Sequence, residues 1–128
     1  MALTSDYTLF VIQIKLSHCP LESYLDDTSC KLPLLGNKFA VIDRDDFDKI
    51  KDHTWFVQQS KATAYVITKK RVNGKVKTVR LHRLIANCPD GMETHHVNFN
   101  PMDNRKLNLD NMTPKDHRHL HTENKQHT

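Results

Sequence analysis

The sequence predicts an α+β fold: a small N-terminal antiparallel sheet with a helix, then a histidine-rich C-terminal segment that closes on a helix. Three observations carry this expectation. Short apolar runs of strand composition recur through the first two thirds of the chain. An Asn73-Gly74 pair, a strong hairpin signal, separates two of them. Thr113 is a good N-cap, Pro114 suits the first helical position, and Asp116 can close a capping-box-like pair, so a helix is expected to start at Thr113.

Taken in order, residues 7–16 read as a strand around Leu9-Phe10-Val11-Ile12. The run has no basic leader and no small-residue cleavage site, so it is not read as a signal peptide, and it is too short to span a bilayer. Residues 17–35, with Pro20, Pro33 and the acidic pair Asp26-Asp27, give no assignable element. Phe39-Ala40-Val41-Ile42 follows Gly36-Asn37 and reads as a strand. From Asp43 to Ile50 acids crowd the start and lysine the end, as a helix macrodipole favours, and Phe47 and Ile50 share a face. Trp55 and Phe56 are expected in the core. Ala62 to Lys70 is a strand by composition. Past the Asn-Gly turn, Lys75 to Leu81 alternates polar and apolar residues, with Lys75 and Lys77 on one face and Val76 and Thr78 on the other. His82 to Asn87 reads as a short helix ending before Pro89-Asp90-Gly91. The chain thus divides into an α+β region with a basic hairpin over residues 1–87 and a histidine-rich unit over residues 88–128, with no linker between them.

With 128 residues, 38% of them hydrophobic, the chain can bury one modest core. Its charge is uneven. Residues 1–60 hold 6 Lys/Arg against 9 Asp/Glu, whereas residues 61–128 hold 13 against 6. A basic half of this kind points to a nucleic-acid partner, the bland alternative being a solvated basic surface. From Lys69 to Arg83 there are seven Lys/Arg and no acid. Such a ribbon suits a phosphate backbone, and an edge strand protected by lysine is the competing reading. Lys69, Lys70, Arg71, Lys75, Lys77, Arg80 and Arg83 are therefore candidate DNA contacts, joined downstream by Arg105 and Arg118, with Lys115 and Lys125 behind them. The cysteines Cys19, Cys30 and Cys88 form no C-x-x-C pair, which argues against a cysteine zinc ribbon or a redox dithiol. Reduced thiols in a cytosol are the simplest account, with a Cys19–Cys30 disulfide left open. A soluble, cytoplasmic protein without a membrane partner is the expectation.

The chemistry concentrates at the C-terminal end, where five of the nine histidines fall between His95 and His121. On a helix beginning at Thr113, His117 and His121 are four apart and share a face, a ready metal clamp. His119 points elsewhere. If His95-His96 lies on a strand, the two rings point to opposite sides, so one can bind metal while the other faces substrate. Neutral imidazoles suit a borderline metal, and an unligated histidine titrating near neutrality can activate water. A three-histidine zinc clip that only staples the fold is the competing reading. His82 is read as a packing residue beneath the site.

These residues resemble the HNH nucleases of the ββα-metal fold. The resemblance rests on His95-His96, on Asn108 opening a second strand, and on His117 with His121 on the helix. The run from Asn108 to His121, with T-P-x-x-H-x-x-x-H after the Asn, is similar to the nuclease-colicin version of the motif. Leu81-His82-Arg83-Leu84-Ile85, Asp103-Asn104-Arg105 and Asn108-Leu109 resemble phage and intron homing endonucleases. The likeness spans about residues 31–124. It implies a C-terminal ββα unit in which His96 is the general base and Asn108 orients the loop that aims it. It implies one divalent metal (Mg²⁺, Mn²⁺ or Zn²⁺) held by His95, His117 and His121, and DNA as substrate for a monomer or homodimer of phage or mobile-element type. Homing-type members carry an acid where His95 stands and an Asn among the ligands, which keeps Asn108 and Asn104 open as ligands here. Two other readings stand beside the nuclease: a nucleic-acid- or protein-binding regulator with a structural or inactive metal site, and a subunit lending its site to a larger complex.

Overall fold

A computed structural model describes residues 20–126, and the side chains up to residue 123. The expected strand over residues 7–16, Cys19, and the side chain of Lys125 lie outside the described residues. Over the described residues the fold is a small α+β arrangement of three antiparallel sheets and three α-helices. The strands are β1 (Ser29–Leu34), β2 (Lys38–Asp43), β3 (Phe56–Gln59), β4 (Ala64–Val72), β5 (Lys75–Arg80), β6 (Glu93–His96) and β7 (Leu109–Met112). The helices are α1 (Phe47–Ile50), α2 (Leu81–Ala86) and α3 (Pro114–Gln126). β1 pairs with β2, β3-β4-β5 form a meander, and β6 pairs with β7. No helix among the described residues is long and apolar enough to cross a membrane.

The core forms where the first hairpin meets the meander and α2. Cys30, Leu32 and Leu34 alternate inward on β1 and Ala40 and Ile42 on β2, against Ile50, Trp55, Val66, Leu81 and Ile85. Trp55 is buried and its indole Nε1–H donates to the Ile50 carbonyl at 2.8 Å. Phe56, expected beside it in the core, is only half-buried. It opens β3, where successive side chains alternate sides, so Trp55 and Phe56 cannot both face inward. The expected helix over Asp43–Ile50 is a 3₁₀ turn (Arg44–Asp46) followed by one α turn. The Asp46 carboxylate is fully buried there, with Lys106 Nζ at 2.9 Å and Lys49 Nζ at 3.3 Å as charge contacts.

The Asn73-Gly74 turn has φ of 51° and 78°, both positive, as a two-residue turn matching strand twist requires. Beyond the core β4 and β5 run on as a ribbon: Lys69–Arg71 and Asn73–Thr78 are all exposed. Lys70 lies opposite Lys77 and Val72 opposite Lys75, which puts three lysines on one face. Lys69 and Arg71 share the other.

Bonds on two sides help tie the C-terminal strand pair to the rest. Asn111 Nδ2 donates to the Ala86 carbonyl at the end of α2 at 3.0 Å. On the other side, the segment after Asn100 lies along β2 as a parallel bridge between Val41 and Asp103. There Val41 N–H donates to Met102 (2.8 Å) and Asn104 N–H donates to Val41 (2.7 Å).

Candidate metal centre

β6 and α3 build the centre. The β6–β7 register sets His95 opposite Asp110 and His96 opposite Leu109, so adjacent imidazoles leave the strand on opposite sides. α3 starts as its sequence dictates. Thr113 Oγ1 accepts from Asp116 N–H at 3.2 Å and the Thr113 carbonyl accepts from His117 N–H at 3.0 Å. One turn separates His117 from His121, whose ring centroids are 4.7 Å apart. His95 meets both, at 5.3 and 5.5 Å. One nitrogen from each of the three rings lies within 4.8 Å of the others, a partly buried cluster that can hold a metal ion.

Three details fit such an ion. His95 Nδ1 is buried without a hydrogen-bond partner, and a polar atom in that position calls for an ion or water. His117 Nε2 and His121 Nε2 face each other at 3.0 Å. His117 Nδ1 is 2.8 Å from Glu93 Oε1, so the ring donates its Nδ1–H to the carboxylate and turns an unprotonated Nε2 inward. Burial and the neighbouring histidines His117 and His121 hold His95 below its usual range, hence neutral and ready to donate its lone pair.

His96 is aimed by its own network. Asn104 Nδ2 donates to the Pro101 carbonyl (3.1 Å), which turns Oδ1 toward His96 Nε2 at 2.9 Å. The ring therefore donates Nε2–H and keeps Nδ1 unprotonated. Burial pushes the His96 pKa down, and the Asn104 bond partly opposes it. Asn108 pins the intervening loop: Oδ1 accepts from Asn98 N–H (2.9 Å), and Nδ2 donates to Asn98 Oδ1 and the Asp103 carbonyl (2.9 Å each). Asn104 and Asn108, both weighed as ligands, thus spend their side chains on this scaffold. Phe99 sits in the loop at φ 61°, a left-handed conformation that costs a bulky residue energy. Its N–H donates to the His96 carbonyl at 2.9 Å, and its ring stands edge-on to His95 (4.8 Å) and His121 (5.1 Å).

A cleft of about 390 Å³ opens here, lined by His96, His117, His121, Arg118, Phe99 and Tyr65 among others. Behind it, His82 is buried between Tyr65, stacked at 5.3 Å, and His96 at 5.0 Å. Burial first, then the charges of His96, Arg80 and Arg83, hold His82 down to about 3.

The predicted DNA contacts scatter. Arg118 is exposed at the cleft. Arg80 and Arg83 border a second cleft that shares Tyr65, Thr94 and His117 with the first. Arg83 also donates an Nη1–H to the Met92 carbonyl at 2.7 Å. Arg105 grips Asp103 bidentately (2.8 and 2.7 Å), which lowers the acid's pKa and raises its own. Lys69, Lys70, Arg71, Lys75 and Lys77 stand apart on the exposed ribbon. His119 points outward to Glu123.

Sequence reading passed over Glu93, Phe99 and Tyr65. Glu93 carried a signal: two residues before His95 on a strand, it shares that residue's face. The other two carried none. No family model, no curated protein and no solved structure matches the chain.

Proposed function

We propose that the chain is an HNH-type, metal-dependent endonuclease or nickase that hydrolyses phosphodiester bonds in DNA, with residues 93–121 as its ββα unit. One observation carries the reading. Two of the three clustered, ligand-capable imidazoles, His117 and His121, line the same cleft as a fourth, neutral imidazole, His96, while His95 completes the cluster from the other side of β6.

His95, His117 and His121 are the residues that hold the cation. When bound, it supplies Lewis-acid stabilisation of the leaving 3′-oxygen. His96 Nδ1 takes a proton from the water that attacks phosphorus. The P–O3′ bond breaks and the leaving oxygen takes a proton from solvent, giving a 5′-phosphate and a 3′-hydroxyl. Asn104 holds the ring through Nε2, Asn108 holds the loop that carries Asn104, and Arg118 offers its guanidinium to the phosphate.

A second reading has its own support. α3 packs on β6 through the same histidines that would hold the ion, as a structural clip in a regulator would. A plasmid-nicking assay separates the two. Cleavage is expected with Mg²⁺, Mn²⁺ or Zn²⁺, to vanish with EDTA and to return on adding metal back. His96→Ala is expected to slow it by ~10²–10⁴-fold, with metal binding retained. A chain that binds metal and DNA yet cuts under no divalent ion refutes the nuclease.

A further inference from the structure

The second cleft, about 430 Å³, lies beside the metal centre and shares a wall with it at His117 and Glu93, while Arg80 and Arg83 in its lining neither belong to the histidine cluster nor bond His96. Tyr65, Thr94 and His117 form the ridge between the two clefts. Beyond that ridge stand Arg80 and Arg83. The Arg80 guanidinium lies 5.1 Å from the centroid of the Tyr65 ring, whose plane stacks on buried His82 at 5.3 Å and 8°. This stack pre-orients a planar cation at the mouth. Arg83 is held by one Nη on the Met92 carbonyl, and its remaining N–H groups stay available. No ion pair among the described residues engages either arginine. One carboxylate, Glu93, also lines the cleft, and it is turned to His117 Nδ1 at 2.8 Å. The cleft therefore offers two guanidinium groups against one carboxylate, one ridge away from the metal centre.

We propose that this cleft is a second phosphate subsite, taking the phosphate that neighbours the one held at the metal centre on the same strand. The proposal rests on the nuclease reading for the first phosphate. It adds that Arg80 and Arg83 read strand continuity, so ligands with two neighbouring phosphates bind better than ligands with one. Arg80 is a binding residue here; it takes no part in the proton transfer.

Calorimetric binding tests this without cleavage. The probes are thymidine 3′,5′-bisphosphate and thymidine 5′-monophosphate, titrated into the Zn²⁺-loaded full chain. The wild type is expected to prefer the bisphosphate by about tenfold, the worth of one charge-assisted contact. Arg80→Ala is expected to bring the two affinities together while leaving monophosphate binding within about twofold. Lys38→Ala, which removes the same charge from an exposed position at the start of β2, is expected to keep the preference. Equal binding of both probes by the wild type overturns the subsite, as does a preference that survives Arg80→Ala or is lost equally in Lys38→Ala. Because no bond is cut, a bisphosphate preference in a chain that never nicks DNA sinks the nuclease alone, and nicking without the preference sinks the subsite alone.

Discussion

Glu93 bonds His117, one of the three imidazoles that can take an ion, and is not itself part of that cluster. Its bond to His117 Nδ1 selects the tautomer and fixes the ring. Glu93→Gln keeps the shape but gives up the charge, so zinc affinity is expected to fall ~10–100-fold in competition with a chromophoric chelator. His82 gives a test by pH. Its native pKa of about 3 lies below the ordinary 6.5, so between those values the unfolded chain takes up a proton that the native chain refuses. Stability is then whole above about pH 6.5 and drains away as pH falls toward 3. His95 and His96, also lowered, act in the same direction. The urea midpoint of the metal-free chain is expected to drop between pH 6.5 and 4, and less steeply in His82→Phe, which keeps the ring between Tyr65 and His96. At this scale the sequence was informative where spacing alone decides geometry. His117 and His121 met because four residues make about one turn. Phe99 was illegible, because a positive φ at phenylalanine is imposed by the loop around it and leaves no mark in its own identity.

The elements that came through best were those with their own punctuation. Asn73-Gly74 specified its turn, and Thr113-Pro114 specified the start of α3. β1 was missed because Pro33 and Lys31 interrupt the apolar pattern. Both are compatible with a strand of a two-stranded sheet, and Pro33 faces outward. The Asp43–Ile50 segment was read as too long a helix because its acids were all taken as partners of a helix macrodipole, whereas Asp46 turns inward to meet Lys106. The ribbon of β4 and β5 carries its own prediction. Replacing Lys70, Lys75 and Lys77 with Gln removes one cationic face. The slope of log affinity for duplex DNA against log salt is expected to flatten by up to about 0.9 per lysine, measured by fluorescence anisotropy across a salt series. An unchanged slope would mean that this face stays in water.

Across the whole molecule, the centre depends on both parts of the chain. β6 and α3 supply the imidazoles, while β2 and Asp46 anchor the 101–106 segment that aims one of them. Binding that joins α3 to β6 therefore stabilises the native state by mass action. Zn²⁺ at a hundred times its Kd is expected to add about 2.7 kcal/mol, seen as a rise in melting temperature that EDTA reverses and His117→Ala abolishes. The bridge at Val41 has a further consequence. Both of its hydrogen bonds use main-chain atoms, so the register of the loop is indifferent to which side chain occupies position 41. Evolutionary drift there is free to exchange one hydrophobic residue for another without misdirecting His96, with one exception. A proline would delete the N–H that Met102 accepts from, and β2 would lose its alignment with the segment that carries Asn104, the partner of His96.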